Sequence, residues 1–254
     1  MTSFNDHFSA TAGAYARHRP TYPPVLVAML AGRCAGTARV WDCATGNGQA
    51  AVALAEHFDA VVATDASAEQ IAQAQAHERV TYRVAPAEAS RLEDDSVDLV
   101  TVAQALHWFD RPAFFAEARR VLRPGGLLAV WTYGPTRVTP ALDAIVGTFY
   151  GETVGPYWPP ERHLPEEGYA SIVFPFDDPA VGKRLRLPTF AMTADWHRAD
   201  FVGYLGTWSA VKRYREATGS DPIPAIDQAL AARWPSDETR LVRWPLAVHA
   251  GRLF

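Results

Sequence analysis

The chain has 254 residues, 48% of them hydrophobic, and sets 24 Lys and Arg against 28 Asp and Glu for a net charge of −4. That length suits one large α/β domain or a domain with a smaller cap. The charge balance argues against a nucleic-acid partner, which would want a basic stripe, and no run approaches the ~18 uncharged apolar residues of a membrane span. The opening Met1-Thr-Ser-Phe-Asn-Asp-His7 lacks the charge-then-apolar pattern of a signal peptide. Two cysteines, Cys34 and Cys43, make no disulfide framework, so a reduced, cytoplasmic setting is expected.

Residues 8–18 show small and aromatic groups at helical spacing, and Arg19-Pro-Thr-Tyr-Pro-Pro24 breaks that pattern. Pro23-Pro24 opens a helix to about Cys34, so residues 1–35 read as an N-terminal helical cover. Strand and helix then alternate. Ala38–Asp42, Ala60–Asp65, Val80–Val84, Val97–Val102 and Leu127–Thr132 read as strands. Gly48–His57, Ser67–His77 and Arg111–Leu122 read as helices, with Ser67 and Gln70 as a capping box and Asp110 as an N-cap. The run Val97-Asp-Leu-Val-Thr-Val102 is apolar enough for a strand buried on both faces. Repeated βα units predict an α/β fold with a doubly wound, mostly parallel sheet. Beyond Tyr133, residues 134–168 are rich in proline and aromatics and read as an inserted helical cap. Residues 184–197 and 239–253 read as further strands, with helices near 199–217 and 223–234. The expectation is one domain, 1–254, with seven strands.

Val40-Trp-Asp-Cys-Ala-Thr-Gly-Asn-Gly-Gln49 is the most informative stretch. A strand runs into a glycine turn and then a helix, which lets a main chain approach a ligand and aims helix N–H groups at it. Gly46-Asn-Gly48-Gln-Ala-Ala51 fits the G-x-G-x-x-A dinucleotide fingerprint, with Asp65 at the distance of a ribose contact. Other features point elsewhere. Asp42 closes the first strand, where an acid can order the turn and approach a cationic amino group. Ala87-Glu88 follows the third strand, and the fourth runs into Gln104-Ala-Leu-His-Trp-Phe-Asp110. Cys43, lying in the turn, reads as a small buried thiol rather than a nucleophile.

Tyr15…Arg19-Pro20…Tyr22-Pro23, Asp42…Gly46…Gly48, Asp65, His107-Trp-Phe-Asp110, Arg120-Val-Leu-Arg-Pro-Gly-Gly126 and Tyr204…Trp208-Ser-Ala210…Tyr214 form a set. The set resembles the class I S-adenosylmethionine-dependent methyltransferases, closest to the small-molecule group that includes trans-aconitate methyltransferase-like enzymes. The resemblance implies a Rossmann-like methyltransferase fold and S-adenosyl-L-methionine as cofactor. Asp42, Ala44, Gly46 and Gly48 would face its methionine part, and Asp65 its ribose hydroxyls. Ala66 and Gln70 would lie near the adenine, with Ala87 and Glu88 at its other edge. Gln104 and His107 would line the site of transfer, and Tyr15 and Arg19 would fold over the cofactor. Ala44 departs from the family's glycine and is expected at negative φ.

His107 is the candidate catalytic residue, as a base or as a group that positions cofactor or acceptor. Trp108, Tyr133, Tyr150, Trp158 and Trp208 are candidate substrate contacts, each of which packing alone could also explain. A small-molecule acceptor is expected, partly apolar. If it carries a carboxylate, Arg137, Arg162, Arg213 and Arg215 are candidates to meet it. Two rivals stand beside this reading. One is an NAD-dependent oxidoreductase, although no Tyr-x-x-x-Lys pair exists: Pro179 and Trp208 stand four residues before Lys183 and Lys212. The other is a cofactor-binding protein without turnover.

Overall fold

The computed structural model describes residues 20–254. They fall into two compact units: residues 22–134, 163–190 and 246–254 in the larger, and residues 20–21, 135–162 and 191–245 in the smaller. The sequence reading of one domain with a cap at 134–168 differs from this. The helices beyond residue 197 group with 135–162, and residues 163–168 group with the sheet.

The larger unit is built on β1 (Arg39–Cys43), β2 (Ala60–Asp65), β3 (Val80–Val84), β4 (Val97–Ala103) and β5 (Leu122–Tyr133), all parallel. With β6 (Gly182–Arg184) and β8 (Arg240–Leu253) the order is β3-β2-β1-β4-β5-β8-β6, and β8 runs antiparallel to both neighbours. Seven strands lie on this path, and an eighth, β7 (Phe190–Trp196), pairs with β8 off it. The single strand expected at 184–197 is split because Leu187-Pro188 falls inside it, and proline cannot donate to a ladder. β5 starts earlier than expected. Leu122 pairs with Val97 and Leu127 with Leu99, so Arg123-Pro-Gly-Gly126 bulges between them.

Local chemistry sets the helix starts. α1 (Pro24–Ala31) opens on proline. α2 (Gln49–Ala55) follows Gly48 at φ +87°. α3 (Ala68–Ala72) is capped by Ser67 Oγ, which accepts the Gln70 N–H; it is shorter than its sequence pattern suggests. α4 (Arg111–Val121) is capped by Asp110, whose Oδ1 accepts the Ala113 N–H. β4 is buried from Val97 to Val102, as its place between β1 and β5 requires. Around it pack Trp41, Leu106, Phe114, Val121, Leu128 and Val130, each fully buried. Such side chains contribute roughly 1.5–3 kcal/mol apiece. The larger unit also holds α6 (His163–Glu166).

In the smaller unit α5 (Pro140–Thr148) runs into a turn of π-helix, Phe149–Thr153. α7 (Arg198–Gly206), α8 (Ser209–Thr218) and α9 (Ile223–Ala231) follow, with α9 packed on α5 and α7. No helix among the described residues is long and apolar enough to cross a membrane.

One buried carboxylate ties the loop after β3 to the sheet's flank. Glu117 on α4 accepts from Ser90 N at 2.8 Å and Ser90 Oγ at 2.5 Å, and from Arg120 Nε at 2.8 Å. Burial raises its pKa, but the hydrogen bonds from Arg120 and Ser90 win and hold it below the ordinary carboxylate value. A depressed carboxylate stabilises the fold above its unfolded pKa and loses that contribution as pH falls. Glu117→Ala is therefore expected to cost about 1–3 kcal/mol at neutral pH by leaving buried donors unpaired. Urea unfolding at pH 7 and pH 3.5 checks this: the loss is expected to shrink at the lower pH.

Candidate functional site

The strand order reverses between β1 and β4, and open α/β sheets bind ligands outside the carboxyl ends of the strands at such a point. The glycine turn leaves β1 there. Asp42 is wholly buried, and the register sets Thr101 of β4 directly beside it. Thr101 Oγ1 donates to Asp42 Oδ1 at 2.7 Å and Thr45 Oγ1 to Oδ2 at 2.5 Å. Both Asp42 oxygens are thus held by hydroxyls, one from the turn and one from β4. Its visible work is to order the turn. Burial pushes its pKa up to about 6, the two hydroxyls pull against that, and Asp65 adds to it.

Past Cys43 the chain turns through Ala44 at φ +53°, Gly46 at +57° and Gly48 at +87°. Ala44 was expected at negative φ and is left-handed, a conformation that costs an L-residue roughly 1–2 kcal/mol. The two glycines serve different ends. A Cβ on Gly48 would lie 2.2 Å from the Tyr82 hydroxyl. That hydroxyl donates to Gln75 O at 2.7 Å, and Gln75 N donates to Asn47 O at 3.0 Å. Gly48 thus makes room for a strap over the turn. Among the described residues, a Cβ on Gly46 would meet only Gln70 Oε1, 3.7 Å away, so little of them crowds the main chain there.

Asp65, nearly buried at the end of β2, joins this turn to the next strand. Its Oδ2 accepts from Gly46 N and its Oδ1 from Ser67 N, both at 2.9 Å. Gly46, Asp65 and Gln70 thus come together, with Ala66 exposed beside them. The other expected contacts are placed differently. Ala87 packs into the core, so only its main chain is left to meet a ligand. Glu88 Oε1 accepts the Asp110 N–H at 3.0 Å. Gln104, at φ +57°, accepts from Thr132 Oγ1 at 2.6 Å and Tyr133 N at 2.8 Å, and donates from Nε2 to Tyr133 O at 3.3 Å. Its amide clamps β4 to β5.

His107 lies on a single 3-10 turn, Leu106–Trp108, and is buried. Its Nδ1 is 2.9 Å from the hydroxyl of Tyr169. Trp108 is 39% exposed, its ring 4.6 Å from that of His107, and Tyr133 is buried. Tyr150, Trp158 and Trp208 belong to the smaller unit and pack on one another at 4.9–5.6 Å between ring centres. Arg162 stands over Trp158 at 4.7 Å and donates from Nε to Tyr150 Oη at 2.8 Å. Arg215 pairs with Asp221. Tyr15 and Arg19 lie outside the described residues. Cys43 is buried, and burial raises its thiol well above the ordinary value, as suits an inert side chain.

The comparisons with known proteins agree on the chemistry. Residues 41–130 match a family described as methyltransferase domain. A protein of Dictyostelium discoideum, named as a methyltransferase, is 36% identical over 233 residues, 90% of this chain and 86% of that one. A solved structure from Anaeromyxobacter dehalogenans, described as a type II methyltransferase, is 45% identical with a TM-score of 0.85, covering 92% of this chain and 97% of that one. The chain belongs to the class I S-adenosylmethionine-dependent methyltransferases. The NAD-dependent reading of the glycine turn falls with that membership. The fold extends to more distant members, such as phosphoethanolamine N-methyltransferase 2 of Haemonchus contortus in complex with S-adenosyl-L-methionine. That structure is 16% identical with a TM-score of 0.52, covering 99% of this chain and 60% of that one.

Asp42 gives this turn a pH signature. Its folded pKa of about 6 lies above the ordinary 3.8. Between those values the folded chain keeps a proton that the unfolded chain has released. The stabilisation is complete below the lower value and is lost as pH rises through the upper one. Urea midpoints of the native protein and Asp42→Asn, taken at pH 4, 5 and 7, are expected to show the native protein losing ground to the variant as pH rises. A difference that stays flat would show that Asp42 does not titrate in this window.

Proposed function

We propose that this methyltransferase acts on a small-molecule acceptor by direct in-line transfer, with the cofactor's adenosine held at the Asp65 corner. The observation that carries the reading is the convergence of Gly46, Asp65 and exposed Ala66 at the reversal of strand order. A carboxylate offers about four acceptor positions, so one that holds main-chain N–H groups can also accept from ribose hydroxyls. Gly46 supplies main chain that no Cβ screens, and Gln70 brings an amide beside it. Ala44 and Gly48 shape the turn around that opening, and Asp42 stiffens it from beneath.

S-adenosylmethionine supplies an activated methyl group, so the protein's task is alignment of acceptor, carbon and sulfur. A small acceptor suits the net charge of −4, which argues against a dominant phosphate-backbone partner. It also suits Gln104-Ala-Leu-His107 at the end of β4, where amino-methylating nucleic-acid enzymes carry an Asn-Pro-Pro-Tyr or Asp-Pro-Pro-Tyr element. Within the larger unit, Trp108 and Tyr133 are the proposed acceptor contacts, and the exposed face of Trp108 is the more accessible.

Calorimetric titration with S-adenosylhomocysteine tests the site. Asp65→Ala is expected to weaken binding by ~1–3 kcal/mol, the loss for hydrogen bonds to a charged partner. An unchanged affinity would remove Asp65 from the ribose site.

A further inference from the structure

Tyr169 is the residue that no reading of the site accounts for. It is fully buried, yet it sits at φ +60° after Gly168 at φ +64°. A bulky side chain in the left-handed region is a genuine outlier, and such strain persists where the surroundings over-determine it. They do so here. A Cβ on Gly168 would lie 2.8 Å from the Ala247 methyl, so only glycine fits at the corner's first position. The Gly168 carbonyl accepts from His249 Nε2 at 2.7 Å. A carbonyl only accepts, so that nitrogen carries the His249 proton. His249 Nδ1 is therefore the acceptor for Arg184 Nη1 at 3.0 Å. Arg184 is in turn fixed by two hydrogen bonds to Asp177, at 2.6 and 2.8 Å. Burial and Arg184 both favour the neutral form of His249.

All of this converges on one contact: the corner carries the Tyr169 hydroxyl to His107 Nδ1, across 62 residues of sequence. We propose that Tyr169 is the positioning residue of His107, its hydroxyl donating to Nδ1 so that the ring proton stays on Nε2. At neutral pH the phenol is the better donor of this pair, since its O–H is far more acidic than the N–H of a neutral imidazole, whose bare nitrogen is the stronger acceptor. His107 then presents an N–H and acts by orienting a lone-pair oxygen or nitrogen at the site of transfer, not by taking a proton. The inference rests on the methyl-transfer reading of the site, and within it decides between base and orienting group. The charged groups on neighbouring segments are Glu88, held by the Asp110 N–H, Asp110 itself, and His163 and Glu166 on α6.

The test is a long-range 1H–15N spectrum of histidine-labelled full-length protein, alone and saturated with S-adenosylhomocysteine, with His107→Gln for assignment. The expected result is the Nε2–H tautomer of His107 from pH 7 to 9. Tyr169→Phe, which keeps the ring and the strained corner, is expected to give a mixture of tautomers with less than a threefold change in S-adenosylhomocysteine affinity. Replacing that ligand by S-adenosylmethionine adds a positive charge at the sulfur and is expected to lower the His107 titration midpoint by about one pH unit or more. An Nδ1–H tautomer in the native protein would overturn the proposal, as would an unchanged tautomer in Tyr169→Phe. A midpoint equal with both ligands would overturn the placing of His107 at the site of transfer. Failure of the native protein to bind either ligand would overturn the cofactor reading instead, while the tautomer without ligand would still decide the role of Tyr169.

Discussion

Two main-chain N–H groups converge on the Asp65 carboxylate, and the arrangement of the site follows from that. Gly46 N binds one oxygen and Ser67 N the other. The turn after β1 and the start of α3 are thereby fixed to the end of β2. Asp42 does the same work one layer deeper, through the hydroxyls of Thr45 and Thr101. One acid joins β2 to the turn and the other joins β4 to it. With both in place, the opening at Gly46 has little freedom to move. A ligand that binds there meets a surface whose ordering cost was met during folding, which is how preorganisation raises affinity.

Strain marks the same region. Ala44, Gln104 and Tyr169 are non-glycine residues in the left-handed region, and each has a physical compensation nearby. Ala44 packs against the core. Gln104 closes three hydrogen bonds with Thr132 and Tyr133. Tyr169 reaches His107. Each left-handed residue costs on the order of 1–3 kcal/mol, so the fold holds these positions against local preference. Gln104 and Tyr169 act on the segment that follows β4 from opposite sides of the sequence, one by pinning its start to β5 and the other by fixing its histidine.

Much of the sheet was legible in the sequence. β2 and β4 are short apolar runs bounded by turns, and the βα spacing of the first five strands suits parallel pairing. Asp110 and Ser67 announced their helices by cap chemistry. The glycine turn and the acid at the end of β2 were legible as a strand–turn–helix unit, and the structure joins them through the Asp65–Gly46 hydrogen bond. What was not legible had a common cause: the partner lay far away in sequence. Asp42 reads as a ligand-facing acid, and only the register shows Thr101 beside it. Gln104 reads as a site residue, and only the pairing of β4 with β5 shows Tyr133 within reach of its amide. Glu88 meets a main-chain N–H at the start of a helix two elements on. Tyr169, with no motif of its own, depends on a glycine corner buttressed by His249 of the last strand. The grouping of 134–168 was not legible for a different reason. Proline-rich composition marks irregular chain, and it says nothing about which unit that chain packs against.

The central claim is that the cofactor sits on the corner built by Gly46, Asp65 and Ser67. An amide chemical-shift titration of the full chain with S-adenosylhomocysteine measures it most directly, because both N–H groups on Asp65 report on that carboxylate. The account predicts that Gly46, Ala66 and Ser67 are among the most strongly shifted amides, saturating together at the calorimetric affinity. Saturable binding that leaves Gly46 and Ser67 unshifted, with the changes confined to 135–162 and 191–245, would contradict it.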